Sequence, residues 1–355
     1  MDSFFASVEE RDHPRIKGLP IVVGSDPANG KGRGVVSTAN YAARAYGIKS
    51  ALPISRAWRL SQKAKAEGKP EVVFFEPNIK KYAGISSEIF AYIATRGELF
   101  EPASIDEAYL ELGMRNKELG EKQWERAEKV AKEIQDYVTK NFQLSCSIGV
   151  GPNKLIAKIA AGRQKPHGLT VVRESEVQAF LDPLSVRELL GIGPKTGAKL
   201  AEIKIETIKE LRQLTKKSLV ERFGEKTGEH MYESARGIDE RPIEENREAK
   251  SIGSETTFDV DTLDAPKILA TFKELAREVA LSVKKEGKRF KTIAIVVRFS
   301  DFQTQTRSHT IGEPSDDGKV LEMEGLKLLL PFFDKRENSK HKNIRLVGIR
   351  AENLH

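Results

Sequence analysis

Short apolar runs bounded by turn residues alternate along this chain with longer segments of helical period. Ile21-Val22-Val23 reads as a buried strand closed by Gly24-Ser25-Asp26-Pro27. Val35-Val36-Ser37-Thr38 reads as a second, preceded by the glycine-rich turn Asn29-Gly-Lys-Gly-Arg-Gly34. Helices are expected over 41–46 and 55–65, and a third strand over 71–75. Apolar spacing predicts longer helices over 80–96 and 122–140, the latter with Trp124, Ala127, Val130, Ala131, Ile134 and Val138 in register. Between them, 100–112 reads as two strand segments around the acidic turn Ser104-Ile105-Asp106-Glu107, and 144–150 as a further strand. That order is the split βαβ pattern of a ferredoxin-like sheet. Its first strand is nearly absent, with Phe4-Phe5 expected at the strand's end.

Beyond Asn153 the helical segments shorten. Residues 186–200 are expected to form two helices around the Gly191-Ile192-Gly193 turn, and the polar stretch 237–247, with Pro242, reads as a linker. A second βαββαβ pattern follows. Its strands are expected at 252–258, 292–299, 303–311 and 344–352, and its helices at 266–285 and 318–333. The class expected is α+β and multidomain.

Composition narrows the function classes. The chain has 355 residues, too many for one core. No apolar run approaches the ~20 residues of a membrane-spanning helix. The longest, 326–333, is short and contains a proline. The single cysteine, Cys146, excludes an internal disulfide and a thiolate zinc site, and fits a reducing cytoplasm. No secretory leader pattern is seen. With 59 Lys/Arg against 52 Asp/Glu, the net charge of +7 is compatible with a polyanionic partner.

Several clusters carry possible chemistry. Asp106 and Glu107 would point to opposite faces of a strand, so they reach one site only at a strand end or sharp turn. There they could hold a hard divalent cation, or form an exposed acidic turn. Thr38, Tyr41 and Arg44 present a hydroxyl, a phenol and a guanidinium at a helix start, suited to phosphate or to a capped surface helix. Lys154, Lys158 and Lys165 offer point charges, or a solvated face. The Gly191 and Gly193 turn, with Lys195 and Lys199, would let the backbone approach a DNA phosphate. Arg307 and His309 lie on a polar, basic strand, with Thr306, Ser308 and Thr310 on its other face. From Glu245 onward 20 Lys/Arg face 18 Asp/Glu, so a basic patch there depends on distribution.

The order of the motifs is more specific than any one of them. Asp-Ser-Phe-Phe-Ala-Ser-Val-Glu-Glu at 2–10, Gly-Val-Val-Ser-Thr-Ala-Asn-Tyr-Ala-Ala-Arg at 34–44 and Ser-Ile-Asp-Glu-Ala-Tyr-Leu at 104–110 come first. Ser-Ile-Gly-Val-Gly-Pro-Asn-Lys-Leu-Ile-Ala-Lys-Ile-Ala at 147–160, Lys-Pro-His-Gly at 165–168, Gly-Ile-Gly at 191–193 and Ala-Arg-Gly-Ile-Asp at 235–239 follow. Across essentially its whole length the chain resembles the Y-family translesion DNA polymerases of the DinB, or DNA polymerase IV, type.

The resemblance implies a right-hand architecture. Residues 1–5 and 76–165 would be the palm, 6–75 the fingers, 166–236 a thumb with a helix-hairpin-helix, 237–248 a linker and 249–355 a βαββαβ little finger that grips DNA. It implies error-tolerant synthesis from dNTPs on primer–template DNA, with two Mg²⁺ ions at Asp106 and Glu107. Tyr41, Arg44 and Lys165, helped by Thr38, would hold the triphosphate. Phe5 would be the aromatic gate against a 2′-OH and Phe4 its neighbour, while Val35, Ser37 and Ala51 would form a small-residue roof over the base pair.

The family's opening motif carries two aspartates. Asp2 matches the second, and the first, a metal ligand, would precede Met1. A catalytically impaired DNA-binding protein of the same fold is therefore the alternative. A nucleotide cyclase is disfavoured by the hairpin and the second βαββαβ pattern. A monomer is expected, and a sliding clamp is left open as partner because no clamp-binding tail follows Leu354-His355.

Overall fold

The computed structural model describes residues 1–113, 120–246 and 248–355. Two units are distinguished, Met1–Asn246 and Arg247–His355.

In the first unit, helix α1 (Phe4–Asp12) precedes β1 (Ile21–Gly24). Then come β2 (Val36–Ala39), the one-turn α2 (Tyr41–Arg44), α3 (Ile54–Ala66) and β3 (Val73–Phe75). Strand β1 is central, antiparallel to β2 and parallel to β3. All its residues are buried, which explains the unbroken apolar run. Ile21 and Val23 pack with Phe4, Val8, Tyr82 and Ile134, whereas Val22 packs with Val36, Ile48 and Ile54.

Helix α4 (Ile79–Ala94), strands β4 (Leu99–Pro102) and β5 (Ala108–Glu111), and helix α5 (Glu121–Phe142) follow. Strands β4 and β5 form an antiparallel pair. Strand β6 (Ile148–Val150) pairs in parallel with β7 (Leu169–Val171) around α6 (Lys154–Ala161). Gly149 is needed there, because a Cβ would lie 2.0 Å from the Ala157 carbonyl oxygen of α6. The two pairs are linked through the first residues. The Met1 nitrogen donates to Asp106 O at 2.5 Å, and the Asp2 N–H to Ser145 O at 2.9 Å.

Three expectations in this unit are corrected. Phe4 and Phe5 begin a helix, not the end of a strand. The helix buries Phe4 and Val8, four apart, in the core together and leaves Phe5 partly buried at its edge against Tyr82. Strand 144–150 shortens to β6, because Leu144 and Cys146 pack while Ser145 O serves Asp2. The first helix of the 186–200 hairpin is a single 3₁₀ turn, Val186–Glu188. Leu189 leaves the turn in an extended conformation, φ −72° and ψ 129°, and Val186, Leu189 and Ile192 are all buried.

The hairpin's second arm is α8 (Pro194–Ala201), which with α7 (Val177–Leu181), α9 (Ile208–Arg212), α10 (Lys216–Phe223) and α11 (Glu225–Ser234) surrounds one core. The stretch expected as a linker is mostly exposed but is tied to the first unit by hydrogen bonds over 237–245, while Arg247 lies outside the described residues. Asn153 Nδ2 donates to Gly237 O at 2.8 Å, Lys154 Nζ to Pro242 O at 3.0 Å, and the Glu244 N–H to Glu101 Oε2 at 2.8 Å.

The second unit contains β8 (Ser251–Thr262), α12 (Ala265–Lys285), β9 (Phe290–Phe299), β10 (Thr304–Ser315), α13 (Gly318–Leu329) and β11 (Ile344–Leu354). Its antiparallel sheet runs β10-β9-β11-β8. The helix expected over 318–333 tightens after Leu329 into a 3₁₀ turn, Leu330–Phe333, where Pro331 removes a backbone donor. Ile293, Ile295, Val297, Val347 and Ile349 face Phe272, Val279 and Leu321 of the helices. The register places Thr306, Val296, Gly348 and Glu255 side by side on the opposite face, next to the row Ser308, Ala294, Arg350, Gly253. Among the described residues no helix is long and apolar enough to cross a membrane.

Candidate active site

The acidic turn between β4 and β5 is tight. The N–H groups of Ala103 and Ser104 both donate to Glu107 O, at 2.9 and 3.0 Å. Ser104 Oγ donates to Asp106 Oδ1 at 2.8 Å. This reversal breaks strand alternation and lets Asp106 and Glu107 line the same cavity of about 350 Å³.

Across the cavity stands α2. Buried Asn40 caps it, accepting from the Ala43 N–H at 3.0 Å and from the Ile21 N–H at 2.9 Å. The cap therefore ties α2 to the central strand. Tyr41 and Arg44 share one helix face, and the guanidinium carbon lies 4.9 Å from the phenol ring centre. Arg44 Nε donates to Ala39 O at 2.9 Å. The Tyr41 hydroxyl is buried and without a hydrogen-bond partner among the described residues. Burial, then the Asp2 charge, pushes its pKa up, with Arg44 opposing. A buried polar atom left open in a cavity is a place for a ligand.

Phe5 forms another wall. Its ring stacks on Tyr82 with centres 4.4 Å apart and planes at 14°. Tyr82 Oη donates to buried Glu9 Oε1 at 2.6 Å, and Lys81 Nζ lies 2.7 Å from the same oxygen. Burial, then the bond to Glu9, raises the Tyr82 pKa strongly.

All eight sequence-predicted residues, Phe4, Phe5, Thr38, Tyr41, Arg44, Asp106, Glu107 and Lys165, line this one cavity. Ser3, Ser37 and Ser50 join them. Val35, Ser37 and Ala51 were expected in the roof, but only Ser37 lines the cavity: Val35 is half exposed and Ala51 takes a left-handed φ of 65°. Ser3 and Ser50 carried no signal in sequence beyond adjacency to the motifs.

Glu107 forms an ion pair with Lys158. Burial alone would raise its pKa, but Lys158, and next Lys165, outweigh burial and hold it below the usual carboxylate range. Among the described residues no group of three or more His, Cys, Asp or Glu is placed to share a metal. Asp2 does not complete one, because Ser145, Ser147 and the His167 N–H engage its carboxylate. The pair suits a hard divalent ion whose remaining ligands are substrate oxygens and water.

The DNA-directed candidates divide. Gly191, at φ 89°, and Gly193, the cap of α8, border an open groove with Lys158 and Arg187. His230 Nε2 lies 2.8 Å from Leu190 O, bracing the turn, and Lys195 and Lys199 lie four apart on α8. Arg307 and His309 instead face the helical side of their sheet. Arg307 makes a bidentate pair with Glu337 and lies over Phe332, and His309 Nε2 is 3.9 Å from Glu324. The alternation expected for that strand holds, but its cationic side is the one with acidic partners. Sequence reasoning passed over Arg298 and Arg350, which lie in the open-face rows.

Comparison with known proteins identifies the family. The impB/mucB/samB family profile matches residues 1–162, and the profile of that family's C-terminal domain matches 249–355. The DNA polymerase-iota thumb-domain profile matches 187–239. The chain is 42% identical over 354 residues to DNA polymerase IV 2 of Methanosarcina mazei, covering 100% of this chain and 90% of that one. It is 39% identical to DNA polymerase IV of Streptococcus mutans, covering 98% and 89%. Among solved structures, a Y-family DNA polymerase chimera of Dbh and Dpo4 matches with a TM-score of 0.83 at 29% identity, over 99% of this chain and 97% of that one. An insertion ternary complex of Dbh DNA polymerase matches with a TM-score of 0.68, also at 29% identity. The chain belongs to the impB/mucB/samB family, as a Y-family DNA polymerase of the DNA polymerase IV type.

Proposed function

We propose that this protein is a template-directed, error-tolerant DNA polymerase that extends a primer past damaged template bases. The observation that carries the reading is the convergence of two carboxylates, a guanidinium, an ammonium, an unpartnered phenol and two aromatic rings on one cavity. The residues divide the work by chemistry. Arg44 and Lys165 supply charge to a triphosphate, Tyr41 donates its open hydroxyl, and Thr38 adds a second hydroxyl. Phe5, held flat on Tyr82, presents a ring edge that excludes a 2′-OH from the sugar site. Ser37 and its small neighbours leave space above the base pair, so its shape is checked weakly.

The enzyme depends on divalent metal, and we take it to be two Mg²⁺ held by Asp106 and Glu107. Metal bound there supplies charge neutralisation at the reacting phosphate and activation of the primer 3′-OH. Glu107, now paired with Lys158, would hold the ion in its place. Primer–template DNA rests on the Gly191-Ile192-Gly193 turn with Lys195 and Lys199, and on the open sheet face of the second unit. We take the working unit to be a monomer.

The test is primer extension on damaged and undamaged template with all four dNTPs and Mg²⁺. Extension that needs the template and requires Asp106 supports the reading. DNA binding without extension would leave a DNA-holding protein of the same fold in its place.

A further inference from the structure

Asp2 is buried, between Met1 and Ser3, which line the cavity. Its carboxylate meets three donors. Oδ1 accepts from Ser147 Oγ at 2.8 Å, and Oδ2 accepts from Ser145 Oγ at 3.1 Å and from the His167 N–H at 2.9 Å. Lys165 Nζ lies 4.0 Å from Oδ1. Ser147 Oγ also accepts from the Gly168 N–H at 3.3 Å, and Gln135 Nε2 donates to Gly168 O at 3.0 Å. Residues 165–168 are thus pinned on their inner side by one carboxylate and the hydroxyl it orders. A buried carboxylate is tolerated only with such donors, so the arrangement is specific to an acid here.

We infer that Asp2 is a positioning residue for nucleotide binding, fixing the 165–168 loop so that the Lys165 ammonium projects into the cavity. This rests on Lys165 being a triphosphate ligand. The competing effect has the opposite sign. As a bare negative charge behind the cavity, Asp2 would oppose a triphosphate, and its removal would tighten binding. Positioning wins because the carboxylate is spent on three hydrogen bonds, and losing the acceptor of the His167 N–H frees the backbone that carries Lys165.

The experiment is a double-mutant cycle read as the KM for dNTP, with kcat and DNA affinity measured alongside. Asp2→Asn keeps the size and one acceptor, Asp2→Ala removes both, and Ser147→Ala loosens the same loop should the Asp2 variants fold poorly. Asp2→Ala is expected to raise KM about tenfold with a smaller change in kcat and unchanged DNA affinity, and Ser147→Ala to raise it about threefold. In a Lys165→Ala background both effects should shrink below about twofold, since the residue they act through is gone. A merely structural role would persist unchanged in that background and would overturn the inference. So would a fall in KM, which would mark Asp2 as an opposing charge. If Lys165→Ala raises KM and neither Asp2→Asn nor Ser147→Ala does, the inference fails while the triphosphate reading stands. If Lys165→Ala leaves KM unchanged, both fail.

Discussion

In the cavity of the first unit, polar groups remain available to a ligand. The Tyr41 hydroxyl is buried without a partner, and Asp106, Arg44 and Lys165 converge on one open space. In the second unit the most conspicuous cations are already matched. Arg307 is locked to Glu337 and His309 faces Glu324, both on the helical side of the sheet. Its open face carries small and hydroxyl side chains, Glu255, and the cations Arg298 and Arg350, the latter 3.4 Å from Glu352. A site that positions one small anion for chemistry needs convergent, incompletely satisfied groups. A surface that tracks a duplex needs flatness, hydroxyls and a few movable charges. The first unit meets the former demand, and in the proposed function the open face of the second serves the latter.

The sharpest way to break this contrast is Asp106→Ala. Extension should fall on the order of 10³-fold in single-turnover assays, with DNA affinity nearly unchanged. Retained extension would show that the carboxylate turn is not the reaction centre. Next in size, Phe5→Ala should cut discrimination against ribonucleotides by about 10²-fold, scored as the ratio of kcat/KM for the two sugars. Tyr82→Phe, which keeps the stacked ring and loses the bond to Glu9, should change that ratio only a few-fold. Equal effects would mean that the hydroxyl, not the ring, holds the gate.

Smaller effects test the second unit. Arg298→Ala and Arg350→Ala should each weaken DNA binding a few-fold and lower the salt slope by about one. Arg307→Ala should leave the slope unchanged and destabilise this unit by about 1 kcal/mol, because it loses an intramolecular pair. The reverse outcome would make the helical side the DNA face.

The smallest effect is on acid stability. The pKa of Glu107 is depressed on folding, so its contribution is present above the ordinary Glu range and fades as pH falls through the lower folded value. Thermal unfolding from pH 6 to below about 4 should show this loss. Lys158→Met should flatten it by under about 1 kcal/mol, since the group is substantially solvated.

Much of the site was legible because motif order along the chain carries more information than any local pattern. Nine of the residues carried over from that order, Phe4, Phe5, Ser37, Thr38, Tyr41, Arg44, Asp106, Glu107 and Lys165, meet in one cavity, while Val35 and Ala51 do not line it. The four strands of the second unit were also legible, since antiparallel strands packed on one face alternate plainly. What escaped depended on three-dimensional partners. Phe4-Phe5 lacks the length of pattern that separates a strand end from a helix start. The 3₁₀ turn at Val186 differs from a helix by one residue per contact. Alternation showed that Arg307 and Thr306 point oppositely, but only Glu337, thirty residues further on, decides which side meets the helices. Asp2 looked like a metal ligand's neighbour in sequence, and its role emerged only from donors more than 140 residues away.

Strand β1 gives Ile21 and Val23 to one hydrophobic core and Val22 to another. The cavity has one wall supported by each core, with α1 on the first and α2 on the second. Neither can melt without stripping one face of the shared strand. Amide hydrogen exchange at Val22 and Val23 should therefore slow to the rate of global opening of the unit, with no faster subglobal route. The two walls of the cavity would then open as a single cooperative foldon.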